Sequence, residues 1–153
     1  MNIIFLDIDG VLCVDAFSDK FQDSCMFWLR ETIKVTKAKI VLSSDWRWSC
    51  PGQARIALDG LPLIGETPVF PVSSNSLEMT RMLEIAAWLN EQKEIHSWVA
   101  VDDMWLPMPN LVQTDWKFGF DRKAANAVSS ILTKSPFHFL DEIEKAVRMG
   151  VKL

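Results

Sequence analysis

Short, almost entirely apolar runs alternate along the chain with longer segments in which apolar residues recur at helical spacing. A compact apolar run bounded by polar or turn-forming residues is typical of a strand buried in a parallel sheet. Such runs predict strands over Asn2–Leu6, Lys39–Leu42, Ser97–Val101 and Leu111–Gln113. Apolar positions spaced by about 3.6 residues predict amphipathic helices. This spacing occurs over Phe21–Lys37, Leu77–Gln92, Asp121–Leu132 and Leu140–Met149.

The alternation of strands and helices favours an α/β fold built on a parallel sheet. We expect a single Rossmann-like domain over residues 1–153, with helices on both faces of the sheet. Between residues 48 and 75, the many prolines and glycines predict a long loop with one short helix near Gln53–Leu58. The serines within Ser73–Ser76 are N-cap candidates for the helix that follows.

The composition is that of a folded domain with a core, since 49% of the 153 residues are hydrophobic and 24% are charged. These values exclude disordered and fibrous classes. The longest apolar stretches fall far short of the ~20 residues that a membrane span needs, so we expect no membrane contact. Cys13, Cys25 and Cys50 are odd in number and lack the spacing of metal ligands, which favours a reduced, cytoplasmic protein.

The charge balance bears on nucleic-acid binding. Sixteen Lys and Arg residues against twenty Asp and Glu residues give a formal net charge of −4. This balance provides no broad basic face of the kind that binds nucleic acids. Any such contact would need a local basic patch, for which Arg47, Arg55 and Arg81 are the candidates.

Polar residues follow three of the predicted strands at the point where each strand ends. The three clusters are Asp7/Asp9, Ser43/Ser44 and Asp102/Asp103. Because the carboxyl ends of parallel strands lie at one edge of the sheet, where such folds bind ligands, we expect these clusters to converge. Clustered carboxylates repel each other unless a cation lies among them, and oxygen ligands of this kind suit Mg²⁺. The alternative for Asp7 and Asp9 is an N-cap and a solvated loop residue.

Several of these segments resemble the motifs of a known superfamily. Phe5–Leu12 resembles the first motif of the haloacid dehalogenase (HAD) superfamily of aspartate-nucleophile phosphohydrolases. Ile40–Ser43 is similar to its second motif, and Trp98–Asp103 is similar to its fourth. A closer likeness is to the small HAD-type domains associated with RNA-repair proteins. The residues that carry this likeness are Leu42–Arg47, Arg81–Leu89, Asp102-Asp103, Leu111–Asp115 and Gly119.

The resemblance implies a role for each acidic residue. Asp7 would attack phosphorus and form an aspartyl-phosphate. Asp9 would protonate the leaving oxygen and then deprotonate the attacking water. Mg²⁺ would be held by the Asp7 carboxylate, the Asp9 backbone carbonyl and Asp102. Asp103 would contact the ion directly or would contact one of its ligands.

Two positions remain open in this comparison. In the second motif, Ser43 would donate a hydrogen bond to the transferred phosphoryl group, and Ser44 is the alternative because the strand end can shift by one residue. The third motif usually supplies a lysine. Here the helix before Asp102 instead offers Arg81 near its start, and Lys93 lies just after its end.

Arg47 and three tryptophans follow the second and fourth motifs. Arg47 would bind a second phosphate group of the substrate. The alternative is an ion pair that ties down a loop. Trp46, Trp48 and Trp105 would either surround the site, where one could stack on a base, or pack in the core.

The resemblance predicts a Mg²⁺-dependent phosphomonoesterase that acts through an aspartyl-phosphate. Members of the superfamily usually carry a cap inserted after the first motif or between the second and third. Only 26 residues separate Leu12 from Lys39, and Trp48–Ser76 spans 29, so we expect no cap or a minimal one and an open site. An open site suits a phosphorylated substrate as large as a nucleic-acid end. A general small-molecule phosphatase and a catalytically silent binding module are the alternatives.

Overall fold

Five parallel strands form one sheet in a computed structural model of the protein, which describes residues 1–14, 20–72 and 75–134. The strands are β1 (Asn2–Leu6), β2 (Lys39–Leu42), β3 (Leu63–Glu66), β4 (Ser97–Asp102) and β5 (Leu111–Gln113). The helices are α1 (Asp23–Thr36), α2 (Trp46–Ser49), α3 (Pro51–Ala57), α4 (Leu77–Glu91) and α5 (Arg122–Thr133). The predicted α/β fold with a parallel sheet is confirmed.

The strand order opens a cleft at the carboxyl edge of the sheet. Across the sheet the order is β3-β2-β1-β4-β5, so the chain builds outward on one side of β1 and then crosses to the other side. In open α/β sheets, ligands bind at the point where the order reverses in this way. β1 pairs with both β2 and β4, and Leu6 lies opposite Leu42 on one side and Val101 on the other. The ends of β1 and β4 therefore flank the expected ligand position.

The central strand β1 is buried on both faces, as its continuous apolar run predicts. Ile4 and Leu6 face one core, to which α1 and α5 contribute. Ile3 and Phe5 face a second core that includes Ile85 of α4. These four side chains have no solvent exposure, and burying one such side chain stabilises the fold by about 1.5–3 kcal/mol. Helices thus cover both faces of the sheet.

Side-chain caps set the beginnings of the two helices that flank β4 and β5. At α4, the Ser76 hydroxyl accepts a hydrogen bond from the Met79 N–H at 3.2 Å, so Ser76 is the N-cap among the candidate serines. At α5, the Asp121 carboxylate accepts from the Ala124 N–H at 2.9 Å. Asp121, which the periodicity includes in the helix, is therefore its N-cap. Each such cap contributes about 1 kcal/mol.

The segment between β2 and α4 contains more structure than the sequence predicts. α3 matches the expected short helix, but α2 begins soon after β2, and β3 pairs in parallel with β2. The prediction of a loop over β3 is wrong. The strand has only four residues, includes Gly65 and shows alternating burial at the edge of the sheet. So short a strand carries too little periodicity to outweigh the nearby Pro62 and Pro68.

Because β3 joins the main sheet, the insertion extends the domain and does not form a separate lid. Within the ranges described above there is no cap domain. The helix predicted over Leu140–Met149 lies outside the described residues. None of the described helices has both the length and the apolar content that a bilayer span requires.

Gly119 lies where the loop before α5 meets the turn after β1, and both its backbone conformation and its close packing require glycine. Its φ is +62°, and a Cβ there would lie 2.5 Å from the Val11 carbonyl oxygen. We expect Gly119→Ala to lower the free energy of unfolding by about 2 kcal/mol or more, because both the left-handed backbone and the close contact disfavour a side chain. Urea unfolding at fixed pH measures the change.

Gly52→Ala is the matched control for this substitution. Gly52 lies in α3, where an added Cβ would meet no atom within 4 Å. Alanine also restricts the unfolded chain, so the variant should be neutral or slightly more stable than the wild type. Similar urea midpoints for both variants would contradict the constraint assigned to Gly119.

Candidate active site

Three carboxylates meet where β1 and β4 end. Asp7 directly follows β1, Asp102 is the last residue of β4, and Asp103 comes next. The Asp7 N–H donates to the Val101 carbonyl at 3.0 Å, which holds the two strand ends together. One oxygen of each carboxylate lies within 4.8 Å of the corresponding oxygens of the other two. The convergence expected from the sequence is present in the structure.

The turn that follows Asp7 depends on Gly10. Its φ is +70°, and a Cβ at this position would lie 2.5 Å from Oδ2 of Asp103. Glycine is required both for the left-handed backbone and for the close approach of the Asp103 carboxylate. The Gly10 carbonyl accepts a hydrogen bond from the Thr114 hydroxyl at 2.9 Å. The turn is thereby tied to the residue that follows β5.

Burial and mutual repulsion disfavour the ionised form of all three carboxyl groups. Burial raises the pKa of Asp7 to about 6, although the positive charge of Arg81 acts in the opposite direction. Burial together with the negative charge of Asp7 raises the pKa of Asp102 to about 7. Burial also raises the pKa of Asp103, and the charge of Asp9 adds to the effect. A cation among these groups would favour their ionised forms.

Arg81 is the basic residue that faces this cluster from α4. Its Nη1 lies 2.8 Å from Oδ2 of Asp102 and 3.2 Å from Oδ1 of Asp7, and its Nη2 lies 3.1 Å from Asp45. Burial lowers the pKa of the guanidinium, but the carboxylates of Asp7 and Asp102 outweigh burial and raise it above its ordinary value. Lys93 is exposed beyond the other end of α4. Of the two basic residues that the sequence leaves open, Arg81 is the one at the site.

Ser43 and Ser44 are both buried at the end of β2, but they have different surroundings. The Ser43 N–H donates to the Leu6 carbonyl and continues the pairing of β1 with β2. The Ser44 hydroxyl donates to the Asp7 carboxylate, which lowers the Asp7 pKa, and accepts from the Trp46 N–H at 3.3 Å. The structure therefore places Ser44, the alternative from the sequence, against the candidate nucleophile.

Asp9 lies on the exposed side of the site and has a partner that the sequence does not indicate. The indole N–H of Trp46 donates to Oδ2 of Asp9 at 3.0 Å. The Trp46 ring is buried and packs edge-on against Phe21, with ring centroids 5.7 Å apart. Trp46 thus packs in the core, as one interpretation proposes, while its polar edge orients a carboxylate of the site.

Arg47 is buried, and its hydrogen bonds are made within the protein. Its guanidinium donates to Glu84 at 2.8 Å and to the Pro68 carbonyl at 2.9 Å, and it also contacts Thr67. Its side chain is 1% exposed. This arrangement fits the alternative in which Arg47 ties down a loop. It leaves the guanidinium few free donors for a second phosphate group of a substrate.

Two acidic residues near the site are missed by the sequence analysis. Asp45 contacts Arg81, and Glu84 accepts both from Arg47 and, at 2.8 Å, from the Phe70 N–H. Glu84 comes three residues after Arg81, so the helical spacing places both on one face of α4. That spacing is the signal that could have identified Glu84. For Asp45, its position directly after the serine pair is the comparable signal.

A cavity of about 370 Å³ opens above the carboxylates. Asp7, Asp9, Asp103 and Arg81 line one part of it. Apolar side chains line another part, and these are Trp48, Val69, Phe70, Val72, Leu77 and Met104. Trp48 is thus beside the site, as one interpretation of the tryptophans proposes. Trp105 is also exposed, but it lines a neighbouring depression.

Comparison with known families agrees with this geometry. The model of a family described as the HAD domain in Swiss Army Knife RNA repair proteins matches residues 3–125, which contain every site residue named above. The chain belongs to this family of HAD domains. No curated protein and no solved structure matches the chain. The predicted membership of the HAD superfamily is confirmed, and so is the closer likeness to the RNA-repair group.

The acidic cluster of this HAD domain is suited to a divalent metal ion. Opposite oxygen ligands of one Mg²⁺ lie about 4.2 Å apart. The oxygens of Asp7, Asp102 and Asp103 lie within 4.8 Å of one another, close to that span. Burial is the main cause of the raised pKa values of these groups, and a bound cation would act in the opposite direction. These residues therefore fit the metal that HAD domains generally use.

The raised pKa values predict how the stability of the metal-free HAD domain depends on pH. Asp7 and Asp102 bind protons more readily when folded, with pKa values of about 6 and about 7 against 3.8 ordinarily. Folding is therefore favoured when both are protonated, and the free energy of unfolding should fall as the pH rises from about 5 to about 8. Mg²⁺ competes with protons, so it should raise the melting temperature more at about pH 8 than at about pH 5. Calorimetry with chelator or with Mg²⁺ measures both effects.

Asp102→Asn assigns this pH dependence to the cluster. It removes one of the two titrating groups, so the metal-free variant should lose less stability than the wild type between about pH 5 and about pH 8. The increase in melting temperature caused by Mg²⁺ should also be smaller in the variant. Asp59→Asn is the control, because Asp59 is exposed in the turn between α3 and β3 and should change neither. Equal Mg²⁺ stabilisation in the wild type and Asp102→Asn would place the metal elsewhere.

Proposed function

We propose that this HAD domain is a Mg²⁺-dependent phosphomonoesterase that acts through an aspartyl-phosphate on Asp7. The observation that carries the proposal is the set of groups around the Asp7 carboxylate. It contacts the guanidinium of Arg81 at 3.2 Å, accepts from the Ser44 hydroxyl and adjoins the carboxylates of Asp102 and Asp103. This arrangement holds an anionic nucleophile beside groups that bind phosphoryl oxygens.

The proposed reaction has two steps, which form and then hydrolyse the aspartyl-phosphate on Asp7. In the first step, an oxygen of Asp7 forms a bond to phosphorus while the bond from phosphorus to the ester oxygen breaks, and Asp9 donates a proton to the departing alcohol. In the second step, Asp9 takes a proton from water, whose oxygen attacks phosphorus and releases phosphate and the Asp7 carboxylate. Burial raises the pKa of Asp7 to about 6, while the Arg81 guanidinium and the Ser44 hydroxyl act in the opposite direction and favour the ionised carboxylate that attacks phosphorus.

The remaining site residues position and neutralise charge. Arg81 and the hydroxyl of Ser44, with Ser43 as the alternative, would contact the oxygens of the transferred group. Asp7, the Asp9 backbone carbonyl, Asp102 and Asp103 would hold Mg²⁺, which supplies positive charge for those oxygens when bound. The Trp46 indole donates to Asp9, and this hydrogen bond would hold the carboxylate in one orientation during proton transfer.

The proposal concerns both the type of ester that is hydrolysed and the kind of molecule that carries it. The chemistry needs a phosphomonoester, and the description of the family makes the terminal phosphate of a nucleic acid a candidate. The predicted basic patch gives that candidate little support. Arg47 and Arg81 are buried, and the exposed Arg55 lies 3.7 Å from Glu66. A small phosphomonoester is therefore the first alternative, and a catalytically silent binding module is the second. We also propose a cytoplasmic location, on the cysteine pattern alone.

Asp7→Asn tests the nucleophile. The change is nearly isosteric, so the variant should keep its fold but lose all but about 1% of Mg²⁺-dependent turnover of an aryl phosphate. The wild type should form a phosphoenzyme that survives acid and is cleaved by hydroxylamine, and the variant should not. Asp59→Asn should behave as the wild type. Retention of more than about a tenth of the activity in Asp7→Asn would exclude covalent attack. No Mg²⁺-dependent turnover in the wild type would leave the silent module.

Trp46→Phe tests the link between the indole and Asp9. Phenylalanine keeps an aromatic ring against Phe21 but lacks the N–H that Asp9 accepts. We expect kcat/KM for an alkyl phosphate to fall about tenfold, because this parameter reports the first step, in which the poor leaving group needs the proton from Asp9. An aryl phosphate should be affected much less, and Asp9→Asn should show the same pattern more strongly. A loss of equal size on both substrates would indicate a structural effect instead.

A further inference from the structure

Large apolar side chains are exposed around the mouth of the cavity that contains Asp7. Five of them line it with exposed fractions between 38% and 61%, and these are Trp48, Val69, Phe70, Val72 and Leu77. Exposed apolar groups that converge on a concave site mark ligand contact more often than chance exposure. This rim, defined by these five residues, has no part in the phosphoryl chemistry proposed above.

The rim is assembled from three parts of the chain that all begin at the carboxyl edge of the sheet. Trp48 lies in α2, which begins shortly after β2, and Leu77 is the first residue of α4. Val69, Phe70 and Val72 belong to the segment that leaves β3. The rim is thus placed by the same sheet edge that places Asp7, so that a substrate bound at Asp7 extends toward it.

The segment that carries Phe70 is fixed by hydrogen bonds. The Thr67 N–H donates to the Leu42 carbonyl at 3.0 Å, and the Phe70 N–H donates to Glu84 at 2.8 Å. Arg47 contacts both Glu84 and the carbonyl oxygens of this segment. A buried ion pair contributes little net stability. Its effect here is to hold the rim in one position, so Arg47 and Glu84 are positioning residues for the rim.

The charges around the cavity indicate what kind of leaving group fits. Among the described residues, Arg81 is the only lysine or arginine that lines it. Arg81 already faces the carboxylates of Asp7 and Asp102. The other charged lining residues are acidic and include Asp45 and Glu84. A second phosphate group would meet negative charge there without a free cation. The lining therefore favours an uncharged group beyond the reacting phosphate.

We propose that the rim is a subsite for a flat, uncharged ring carried by the leaving group close to the phosphate. The proposal rests on the proposed function and specifies its substrate class. The cavity of about 370 Å³ is within the range of small-ligand sites, and Trp48 and Phe70 are the aromatic lining residues against which a ring would stack. A simple aromatic alcohol and the base of a nucleotide share this chemistry.

Binding of phosphonates tests the subsite without turnover. Calorimetry in Mg²⁺ compares 2-phenylethylphosphonate with propylphosphonate, which bear the same anionic group. We expect about tenfold tighter binding of the phenyl compound by the wild type, a ratio near one for Trp48→Ala, and an unchanged ratio for Trp116→Ala. Trp116 is the matched control because it is 58% exposed against 61% for Trp48 and does not line the cavity.

The outcomes separate this proposal from the proposed function. Binding of neither phosphonate would contradict the phosphate site itself, and with it the proposed function. Equal binding of both, unchanged by Trp48→Ala, would overturn the ring subsite alone. Glu84→Gln should lower the ratio of phenyl to propyl affinity, because it disturbs the rim through Arg47 and the Phe70 segment. A loss of both affinities in Glu84→Gln would show that its role is not confined to the rim.

Turnover measurements distinguish the two kinds of leaving group that carry such a ring, an aromatic alcohol and a nucleotide. The ratio of kcat/KM for 2-phenylethyl phosphate to that for propyl phosphate should also be about tenfold, since both release primary alcohols of similar acidity. A mononucleotide should be cleaved at least as well as an oligonucleotide with the same terminal phosphate, with little dependence on salt. A large preference for the oligonucleotide that declines with salt would overturn the uncharged leaving group. Sedimentation showing a dimer that Trp48→Ala dissociates, without a ring preference, would make the rim a self-association surface.

Discussion

The contact of Arg81 with the carboxylates of Asp7 and Asp102 is the interaction on which the site depends. Like charges in a buried place cannot all ionise without a compensating cation. The fold provides that cation because α4 comes directly before β4 in the chain and runs back across the sheet. Its first turns therefore lie at the carboxyl edge, where β1 and β4 end side by side. The order of the elements along the chain therefore places the Arg81 guanidinium beside the carboxylates of Asp7 and Asp102.

Features that depend on the ends of strands are predictable from the sequence. Asp7, the pair Ser43 and Ser44, and Asp102 follow clear apolar runs, and a parallel sheet brings the ends of such runs to one edge. Gly10 and Gly119 also stand in segments that resemble the family, and both adopt positive φ. The choice between Arg81 and Lys93 follows from geometry once α4 is placed, because the two residues lie toward opposite ends of that helix.

Contacts between residues distant in sequence are not predictable in the same way. Arg47 and Glu84 are 37 positions apart, and so are Asp9 and Trp46. No periodicity indicates which side chain an arginine or an indole will reach across a folded surface. The sequence does not predict β3 for a different reason, since this segment is a strand because it pairs with β2 and not because of its own four residues. The choice between Ser43 and Ser44 likewise depends on how far β2 continues, which is uncertain by one residue in any pattern.

Arg81 and Glu84 stand one turn apart on α4, and this spacing has a consequence for how the family can diversify. One residue contacts the candidate nucleophile, and the other holds the backbone of the segment that forms the rim. One helix therefore positions a residue of the proposed catalytic site and a residue that fixes the proposed ring subsite. Side chains such as Val69 and Val72 contribute only their outer surfaces, so mutation can exchange them while their backbone stays fixed. In the proposed enzyme, substitution at these positions would change the fit of the leaving group without moving the carboxylates.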